Sequence, residues 1–214
     1  MSLTAVDRSL APGRGYRADE ALEARVVTAT LACIARFGLA KLTVDDVARE
    51  AGCGRATVYR RVGGKSEVEG ATVTAEVQRL ARRAWAEAAR ADTLDEVIVA
   101  VLVTVAREVE GHAALQFLFA FEPEQVLVHL AFEQGDRFLA QARFLLAPVF
   151  DRFLEPDAAE RLAEYLIRIL VSYVCSPDAE VSMTDGSAVR SLVRAFVVPA
   201  FAGLGTKPAR GELP

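Results

Sequence analysis

The sequence predicts an all-α protein of two parts, a small N-terminal three-helix unit and a larger C-terminal helical unit. Apolar residues recur at helical spacing along most of the 214 residues, and capping residues or glycines stand where the periodic segments end. No segment alternates apolar and polar residues as a half-buried strand does, and no internal repeat occurs. With 52% hydrophobic residues, a chain of this length can bury a sizeable core.

The first predicted helix starts near residue 18, after an N-terminal segment (residues 1–17) that we expect to be a flexible arm. Two neighbouring apolar stripes run along this helix: Leu22, Val26, Ala29, Cys33 and Phe37, and Val27, Leu31 and Ile34. They form a wide face for burial, and Gly38 ends the helix. We expect this helix to brace the two that follow.

Residues 43–65 predict a helix, a glycine turn and a second helix. Thr43 can accept hydrogen bonds from free N–H groups at a helix start, and Asp46, three residues later, would complete a capping box. The helix should therefore begin at Val44. Gly52 can adopt a left-handed conformation and turn the chain into a second helix from about Arg55. This arrangement is typical of the helix-turn-helix motif.

The second helix of this motif carries residues suited to the major groove of DNA, where all four base pairs can be distinguished. Arg55 can bind guanine O6 and N7, and the small Ala56 allows close approach or contact with a thymine methyl group. Thr57, Tyr59, Arg61 and Lys65 are expected to bind phosphates, and Arg60 to bind either base or phosphate. The predicted DNA-binding residues are thus Thr43, Arg55, Ala56, Thr57, Tyr59, Arg60, Arg61 and Lys65. The alternative is a merely solvated basic face with Tyr59 in the core.

Residues 26–68 resemble the DNA-binding domain of the TetR (tetracycline-repressor) family of transcriptional regulators. The matching stretches are VVTATLACIARFG, TVDDVAREAG and RATVYRRVGGKSEV. The chain departs from the family pattern at Gly54, usually Ser, at Val62, where Phe is common, and at Val68, usually Leu. The resemblance implies a DNA-binding domain over residues 18–66 and a helical ligand-binding and dimerisation domain over residues 67–204, with a flexible tail at 205–214.

The distribution of charge agrees with a nucleic-acid partner. Residues 1–66 contain 11 Lys and Arg against 7 Asp and Glu, whereas the rest of the chain contains 14 against 22. The net charge of −4 therefore hides a basic N-terminal unit, and phosphate attraction depends on the local field rather than on the total. With so few charges, a chance split is the alternative.

The larger unit is predicted to be a series of helices. They are predicted from Lys65 to about Arg90, Val97 to Val109 (after a Thr93–Glu96 capping box), Ala113 to Phe121, Pro123 to about Gln134, Asp136 to Leu154 with a kink at Pro148, Pro156 to Cys175, and Ser187 to Ala202. Gly135 is expected to interrupt the chain between two of them. In the resemblance, the helix from Lys65 connects the two domains.

The last two long helices carry more apolar surface than one helical layer can bury. We predict a homodimer interface formed by Leu162, Leu166, Ile169, Leu170, Tyr173, Leu192 and Phe196, with Val197 beside them. Either a partner subunit or the remaining helices must cover these residues, and the resemblance favours a partner. Two recognition helices related by a two-fold axis would read a palindromic operator.

The middle helices are rich in phenylalanine, which in a helical bundle is usually core. The resemblance implies a small-molecule cavity among these helices, and we predict a hydrophobic ligand held by Phe117, Phe121, His129 and Phe132. His112 and His129, with Glu108 and Glu133 a helical turn away, would allow a metal site as a minor alternative. No metal and no cofactor are predicted.

Other function classes find little support in the sequence. There is no glycine-rich phosphate loop and no nucleophile with an adjacent base, so an enzyme is a distant alternative to a repressor released by a ligand. A dimeric DNA-binding protein without a ligand is a closer alternative to such a repressor than an enzyme is. No signal peptide or membrane span is expected, and the odd count of three cysteines indicates reduced thiols in a cytoplasm. Cys53 is interpreted as a small buried residue, with a redox sensor as the alternative.

Overall fold

The computed structural model describes residues 14–130, 132–177 and 181–201, with side chains from residue 19 onward except those of residues 132–134. Regular structure in this part of the chain is entirely helical, which confirms the all-α prediction. None of the helices described is long and apolar enough to span a membrane. Cys33, Cys53 and Cys175 are all free thiols.

The helices follow the sequence prediction in order. They are α1 (Arg14–Phe37), α2 (Val44–Glu50), α3 (Arg55–Arg61), α4 (Lys65–Ala88), α5 (Leu94–Glu110), α6 (Ala113–Phe121), α7 (Pro123–Leu130), α8 (Phe132–Leu146), α9 (Pro156–Cys175), α10 (Gly186–Leu192) and α11 (Val198–Phe201). A π-helical turn, Val193–Val197, joins the last two, and we call these three segments the C-terminal helix. The reciprocal capping box of Thr93 and Glu96 is present at the start of α5, as predicted.

The predictions for the two ends of the chain are partly wrong and partly untested. The first helix begins at Arg14, so residues 14–17 are helical and not part of a flexible arm. Residues 1–13, and with them most of the predicted arm, lie outside the described residues, as does the predicted tail at 205–214.

The boundary between α7 and α8 was predicted wrongly. Helix α7 ends at Leu130, and Gly135 lies inside α8 instead of interrupting the chain. A Cβ atom at position 135 would lie 2.6 Å from the carbonyl oxygen of Leu130, so glycine permits a close approach that no other residue would. Pro148 kinks no helix either, because α8 stops at Leu146 and the proline lies in a short 3₁₀ turn, Ala147–Phe150.

Buried apolar side chains form two cores. One lies among α5, α8, α9, the C-terminal helix and the end of α4. The other lies among α1, α2, α3 and the start of α4, and includes Ala114 and Leu118 of α6 and Val126 of α7. Helices α6 and α7 therefore pack on the N-terminal three-helix unit, although the predicted boundary at residue 66 assigns them to the other domain.

Candidate functional site

Helix α2 begins at Val44 as predicted, with Thr43 at its N-cap. The Thr43 hydroxyl oxygen accepts a hydrogen bond from the Asp46 amide at 3.2 Å. The Asp46 carboxylate accepts from the Thr43 hydroxyl at 2.5 Å and pairs with Arg49, so it does not form the bond to the Thr43 amide that a capping box requires. The predicted box is thus only half present. The bond from Thr43, and then the charge of Arg49, lower the pKa of Asp46.

The turn between α2 and α3 is held by a side chain from α1. Gly52 has the expected left-handed conformation, with φ of 63°, and the Cys53 amide donates to the Ala48 carbonyl at 2.9 Å. Arg25 donates to the carbonyl oxygens of Ala51 and Gly52, the latter at 3.1 Å. The sequence analysis missed Arg25, because a contact across 26 residues leaves no local signal.

Helix α3 turns a polar face outward. Val58 is fully buried beneath it, whereas Tyr59 is 46% exposed, which excludes the alternative that this tyrosine is a core residue. Of the other predicted DNA-binding residues on the helix, Arg55, Ala56, Arg60 and Arg61 are exposed and Thr57 is half-buried. The outward face thus offers three guanidinium groups and a phenol, which suit contacts with bases and phosphates.

Arg55 is already engaged within the protein. Its guanidinium lies 3.1 Å from the Asp45 carboxylate and 3.4 Å from the Tyr59 hydroxyl, and it also lies over the Tyr59 ring at 5.2 Å. The bond to Tyr59, together with the charge of Asp45, raises the pKa of Arg55 further. Arg60 forms no ion pair or hydrogen bond with the part of the chain that the structure describes. A base contact by Arg55 therefore requires it to exchange a partner, whereas Arg60 needs no such exchange.

Two of the predicted phosphate-binding residues also hold the N-terminal unit together. Arg61 forms an ion pair with Asp19 of α1 at 2.6 Å. The Lys65 ammonium donates to the carbonyl oxygens of Leu39 at 2.9 Å and Ala40 at 3.3 Å. The start of α4 is thereby tied to the loop between α1 and α2.

The same loop is bound from its other side by Glu122, at the end of α6. One carboxylate oxygen of Glu122 accepts hydrogen bonds from the amides of Leu39, at 2.7 Å, and Ala40, at 3.0 Å. Gly38, with φ of 87°, makes room for this contact, since a Cβ atom there would lie 2.0 Å from the Glu122 carboxylate. We call this arrangement the Glu122 contact. It joins the α6–α7 corner to the DNA-binding unit across 83 residues of sequence.

A cavity of about 250 Å³ lies between the two cores. Its walls come from α1, α4, α5, α6, α7, α8 and α9, and they are almost entirely apolar. Such a cavity can take a small hydrophobic molecule. Because Leu31, Ile34 and Leu39 form part of its wall, the cavity reaches the N-terminal three-helix unit.

The helix-turn-helix geometry coincides with a family match. A family model for bacterial regulatory proteins of the tetR family matches residues 26–68, which run from the middle of α1 through α2 and α3 to the start of α4. The match identifies residues 26–68 as similar to the DNA-binding domain of regulators of the tetR family. The match supports a DNA-binding transcriptional regulator, and the relatives found are regulators and not enzymes.

Relatives of the chain include regulators from mycobacteria. An HTH-type transcriptional regulator of Mycobacterium tuberculosis strain H37Rv is 27% identical over 165 residues, which cover 75% of each chain. A second regulator of that strain is 26% identical over 172 residues, or 77% of this chain and 86% of the relative. Both matches extend well beyond the helix-turn-helix.

Solved structures share the fold. The TetR family repressor AlkX from a Dietzia species superposes with a TM-score of 0.68 and 17% identity, covering 85% of this chain and 96% of that one. The fatty acid degradation regulator FadR from Bacillus halodurans gives a TM-score of 0.58 and 16% identity over 82% and 96% of the two chains. At these identities the likeness concerns the fold alone.

The cavity differs from the predicted ligand site in its residues. His129 lines it as predicted. Phe117 and Phe121 do not: Phe121 is 71% exposed, and its ring packs at a tilt against that of Phe117, with ring centroids 4.9 Å apart. The side chain of Phe132 lies outside the described residues, whereas Phe119 and Phe138, which were not chosen, line the cavity. An aromatic-rich helix does not show by its sequence which ring faces inward.

A half-buried ion-pair network borders the cavity through Glu76 and His112. Glu76 of α4 accepts hydrogen bonds from Arg79 at 2.8 Å and His112 at 3.1 Å. Burial acts to raise the pKa of Glu76, but these two bonds outweigh it, so its pKa lies below the ordinary value. Glu108 pairs with Arg79, and the described residues contain no group of three metal-ligating side chains.

The predicted dimer interface needs correction. Leu162, Leu166 and Leu170 of α9 are buried inside their own subunit, in the core shared with α5, α8 and the C-terminal helix, and so is Val197. They are therefore not available to a partner. Ile169, Tyr173 and Leu192 are half-buried, whereas Phe196 is 70% exposed and Tyr165, which was not chosen, is 40% exposed. The outward faces of α9 and the C-terminal helix are thus much less apolar than predicted.

Proposed function

We propose that this regulator is a homodimeric repressor that binds a palindromic operator through α3 of each subunit and leaves it when a small hydrophobic ligand fills the cavity. The proposal rests on one observation: the apolar cavity has walls from both α4 and α1. A molecule in the cavity therefore touches the DNA-binding unit directly. Occupancy by a ligand can therefore favour one orientation of that unit over another.

The exposed face of α3 supports the DNA-binding half of the proposal. Arg55 and Ala56 face outward at the start of the helix, where a docked recognition helix meets base edges. We assign base reading to Arg55, Ala56 and Arg60, and phosphate contacts to Thr57, Tyr59 and Arg61. Lys65 and Thr43 have hydrogen bonds within the protein, so their proposed role is to hold the helices that approach the backbone, with phosphate contact secondary.

The composition of the cavity supports the ligand half. Its walls are nearly all apolar, and hydrophobic lining with a few polar groups is typical of small-molecule sites. Among proteins of the same fold, AlkX is implicated in biodegradation of n-alkanes and FadR in regulation of fatty acid degradation. We propose a hydrophobic effector for this chain as well.

The Glu122 contact supports a route from cavity to DNA. Helices α6 and α7 both line the cavity and both pack on the N-terminal unit, and Glu122 lies at the corner between them. A ligand releases the operator only if it binds one arrangement of the two DNA-binding units better than the other. By the same thermodynamic linkage, operator DNA must weaken ligand binding equally.

Two measurements test this function. Selection of bound fragments from random duplex DNA should yield a pseudo-palindrome, and titration of that duplex against a scrambled one should show specific binding. Hydrophobic compounds that bind the cavity should then lower operator affinity about 5- to 150-fold, which corresponds to a coupling of about 1–3 kcal/mol. If compounds bind and operator affinity does not change, the protein is a constitutive dimeric DNA-binding protein and the inducible mechanism is wrong.

A further inference from the structure

The polar side chains of the cavity are confined to one end. On α4 they are Glu69, Thr72 and Glu76, all in the half of the helix nearer the DNA-binding unit. On α7 they are Gln125 and His129, whose neighbours Val126 and Leu130 pack into the core of that unit, and His112 lies at the start of α6. Beyond Glu76, the α4 residues that line the cavity are all apolar, and so are its lining residues from α8 and α9. The cavity therefore has a polar end and an apolar end.

The cavity is also long for its volume. Its lining on α4 runs from Glu69 to Ala84, fifteen residue steps, which at about 1.5 Å per residue spans ~22 Å along the helix. A rounded cavity of about 250 Å³ would measure only roughly 8 Å across. The space is therefore elongated along α4, and we call it the channel; this shape suits an extended chain better than a fused ring system.

The hydrogen-bonding groups at the polar end are mostly committed. Both ring nitrogens of His112 have partners, Nε2 with Glu76 and Nδ1 with the Leu115 amide. The Thr72 hydroxyl donates to the Val68 carbonyl at 2.7 Å. These groups hold the walls in place and offer a ligand little.

His129 and Gln125 are the exceptions. The Gln125 side-chain amide, which can both donate and accept, has no hydrogen-bond partner in the part of the chain that the structure describes. His129 offers a single acceptor. Its Nδ1 lies 2.9 Å from the Gln125 carbonyl oxygen, which can only accept, so Nδ1 carries the proton. In the neutral ring Nε2 is then an acceptor, and it has no partner in the part of the chain that the structure describes. An acceptor at the polar end of an apolar channel calls for a ligand with a hydrogen-bond donor.

The charges nearby determine which donor fits. Glu69 and Glu76 both line this end, so a carboxylate head would face two negative groups in a poorly solvated space. The cations that balance them are already paired, Lys65 with Glu69 and Arg79 with Glu76. An uncharged donor, such as a hydroxyl or a primary amide, meets neither repulsion nor the cost of burying a charge.

We infer that the ligand is an unbranched aliphatic chain with an uncharged hydrogen-bond-donating head, such as a long-chain alcohol. The head binds His129 and Gln125 at the end nearer the DNA, and the tail extends along α4 toward Ala84. This inference rests on the proposed function only in treating the cavity as the ligand site.

The test measures ligand binding without DNA, by calorimetry on the full chain. Affinity should rise about fourfold per added methylene from 1-octanol through 1-decanol to 1-dodecanol, as each methylene leaves water. 1-Decanol should bind at least about tenfold more tightly than decanoate, which carries its charge to the acidic end. 1-Decanol should also bind more tightly than cyclodecanol, which has the same carbon count and head but cannot extend. It should bind more tightly than decyl methyl ether as well, because the head of the ether donates no hydrogen bond.

Variants separate the head from the tail. His129→Leu should lower 1-decanol affinity about fivefold, as for loss of one hydrogen bond, and leave decyl methyl ether unchanged. Ala81→Phe, within the channel, should remove the advantage of 1-dodecanol over 1-octanol, whereas Ala86→Phe, exposed on the same helix, should keep it.

Three results would overturn the inference: decanoate binding as tightly as 1-decanol, cyclodecanol binding as tightly as 1-decanol, or affinity independent of chain length. If one of these results is found but another compound that binds the cavity releases the operator, only the proposed ligand class is refuted. Tight binding of 1-decanol with unchanged operator affinity would instead refute the inducible mechanism and leave the ligand class standing.

Discussion

At the scale of single residues, Arg55 shows how DNA reading and folding share one side chain. Its guanidinium is paired with Asp45 and lies over the Tyr59 ring. An exposed ion pair of this kind stabilises the protein little, so a guanine with two acceptors can replace it at low cost. The pairing holds the arginine near the position from which it would read a base.

Replacing Arg55 by Ala should relax base preference at one position in each half-site. The expected loss is about 1–3 kcal/mol of operator binding, with little change on scrambled DNA. Quantitative selection with wild-type and variant protein measures both. Arg82→Ala, an exposed arginine on α4, serves as the control. An equal loss on operator and scrambled duplexes would show that Arg55 binds phosphate and not a base.

Asp45→Asn should strengthen DNA binding. The change removes a negative charge beside the recognition helix and releases Arg55 from its ion pair. Because phosphate attraction is not sequence-specific, affinity should rise for operator and scrambled duplexes alike, and more at low salt. Fluorescence anisotropy at two salt concentrations measures this. Unchanged or weaker binding would mean that Asp45 is needed to orient Arg55.

At the scale of elements, the Glu122 contact links helices that are remote in sequence. The loop between α1 and α2 has its amides bound by Glu122 and its carbonyls bound by Lys65. The position of this loop therefore depends on α6 as well as on α4.

Glu122→Ala should lower the free energy of unfolding by about 1–3 kcal/mol, because it leaves the partly buried Leu39 amide without its acceptor. It should also weaken the effect of a cavity ligand on operator affinity. Urea unfolding and operator titration with 1-decanol measure the two effects. Glu124→Ala, exposed on α7 two residues away, should change stability by less than about 0.5 kcal/mol. Equal effects of the two changes would show that the Glu122 contact contributes nothing.

At the scale of the whole molecule, assembly depends on which apolar residues remain outside the subunit. Leu166 is fully buried, so a glutamate there would unfold the chain and reveal nothing about dimers. Phe196 and Phe144 are 70% and 78% exposed, on the C-terminal helix and α8 respectively. These two phenylalanines offer a matched pair.

Phe196→Glu should convert the proposed homodimer into a folded 23.1 kDa monomer, because the charge replaces an apolar contact with the partner. Phe144→Glu should leave the dimer intact. Sedimentation at micromolar concentration measures mass, and circular dichroism confirms that both variants remain helical. If Phe144→Glu dissociates the dimer and Phe196→Glu does not, the interface lies on α8.

Much of this protein follows from interactions that are local in sequence. The helix starts at Val44 and Arg55, the left-handed Gly52 and the capping box at Thr93 depend on residues within about four positions of one another, so the sequence alone predicts them. The outward face of α3 follows for the same reason, since helical spacing separates Val58 from Tyr59.

Only the tertiary structure decided what covers each apolar stripe and where distant side chains meet. The periodicity of α9 shows that one face is apolar, but the leucines on that face are equally suited to a partner subunit or to α5, and the packing of the chain selects α5. The Glu122 contact and the cavity along α4 likewise join residues far apart in sequence. Burial of apolar side chains lowers the free energy whichever surface they pack against. A sequence pattern therefore shows that a helix face must be buried, but not which surface buries it.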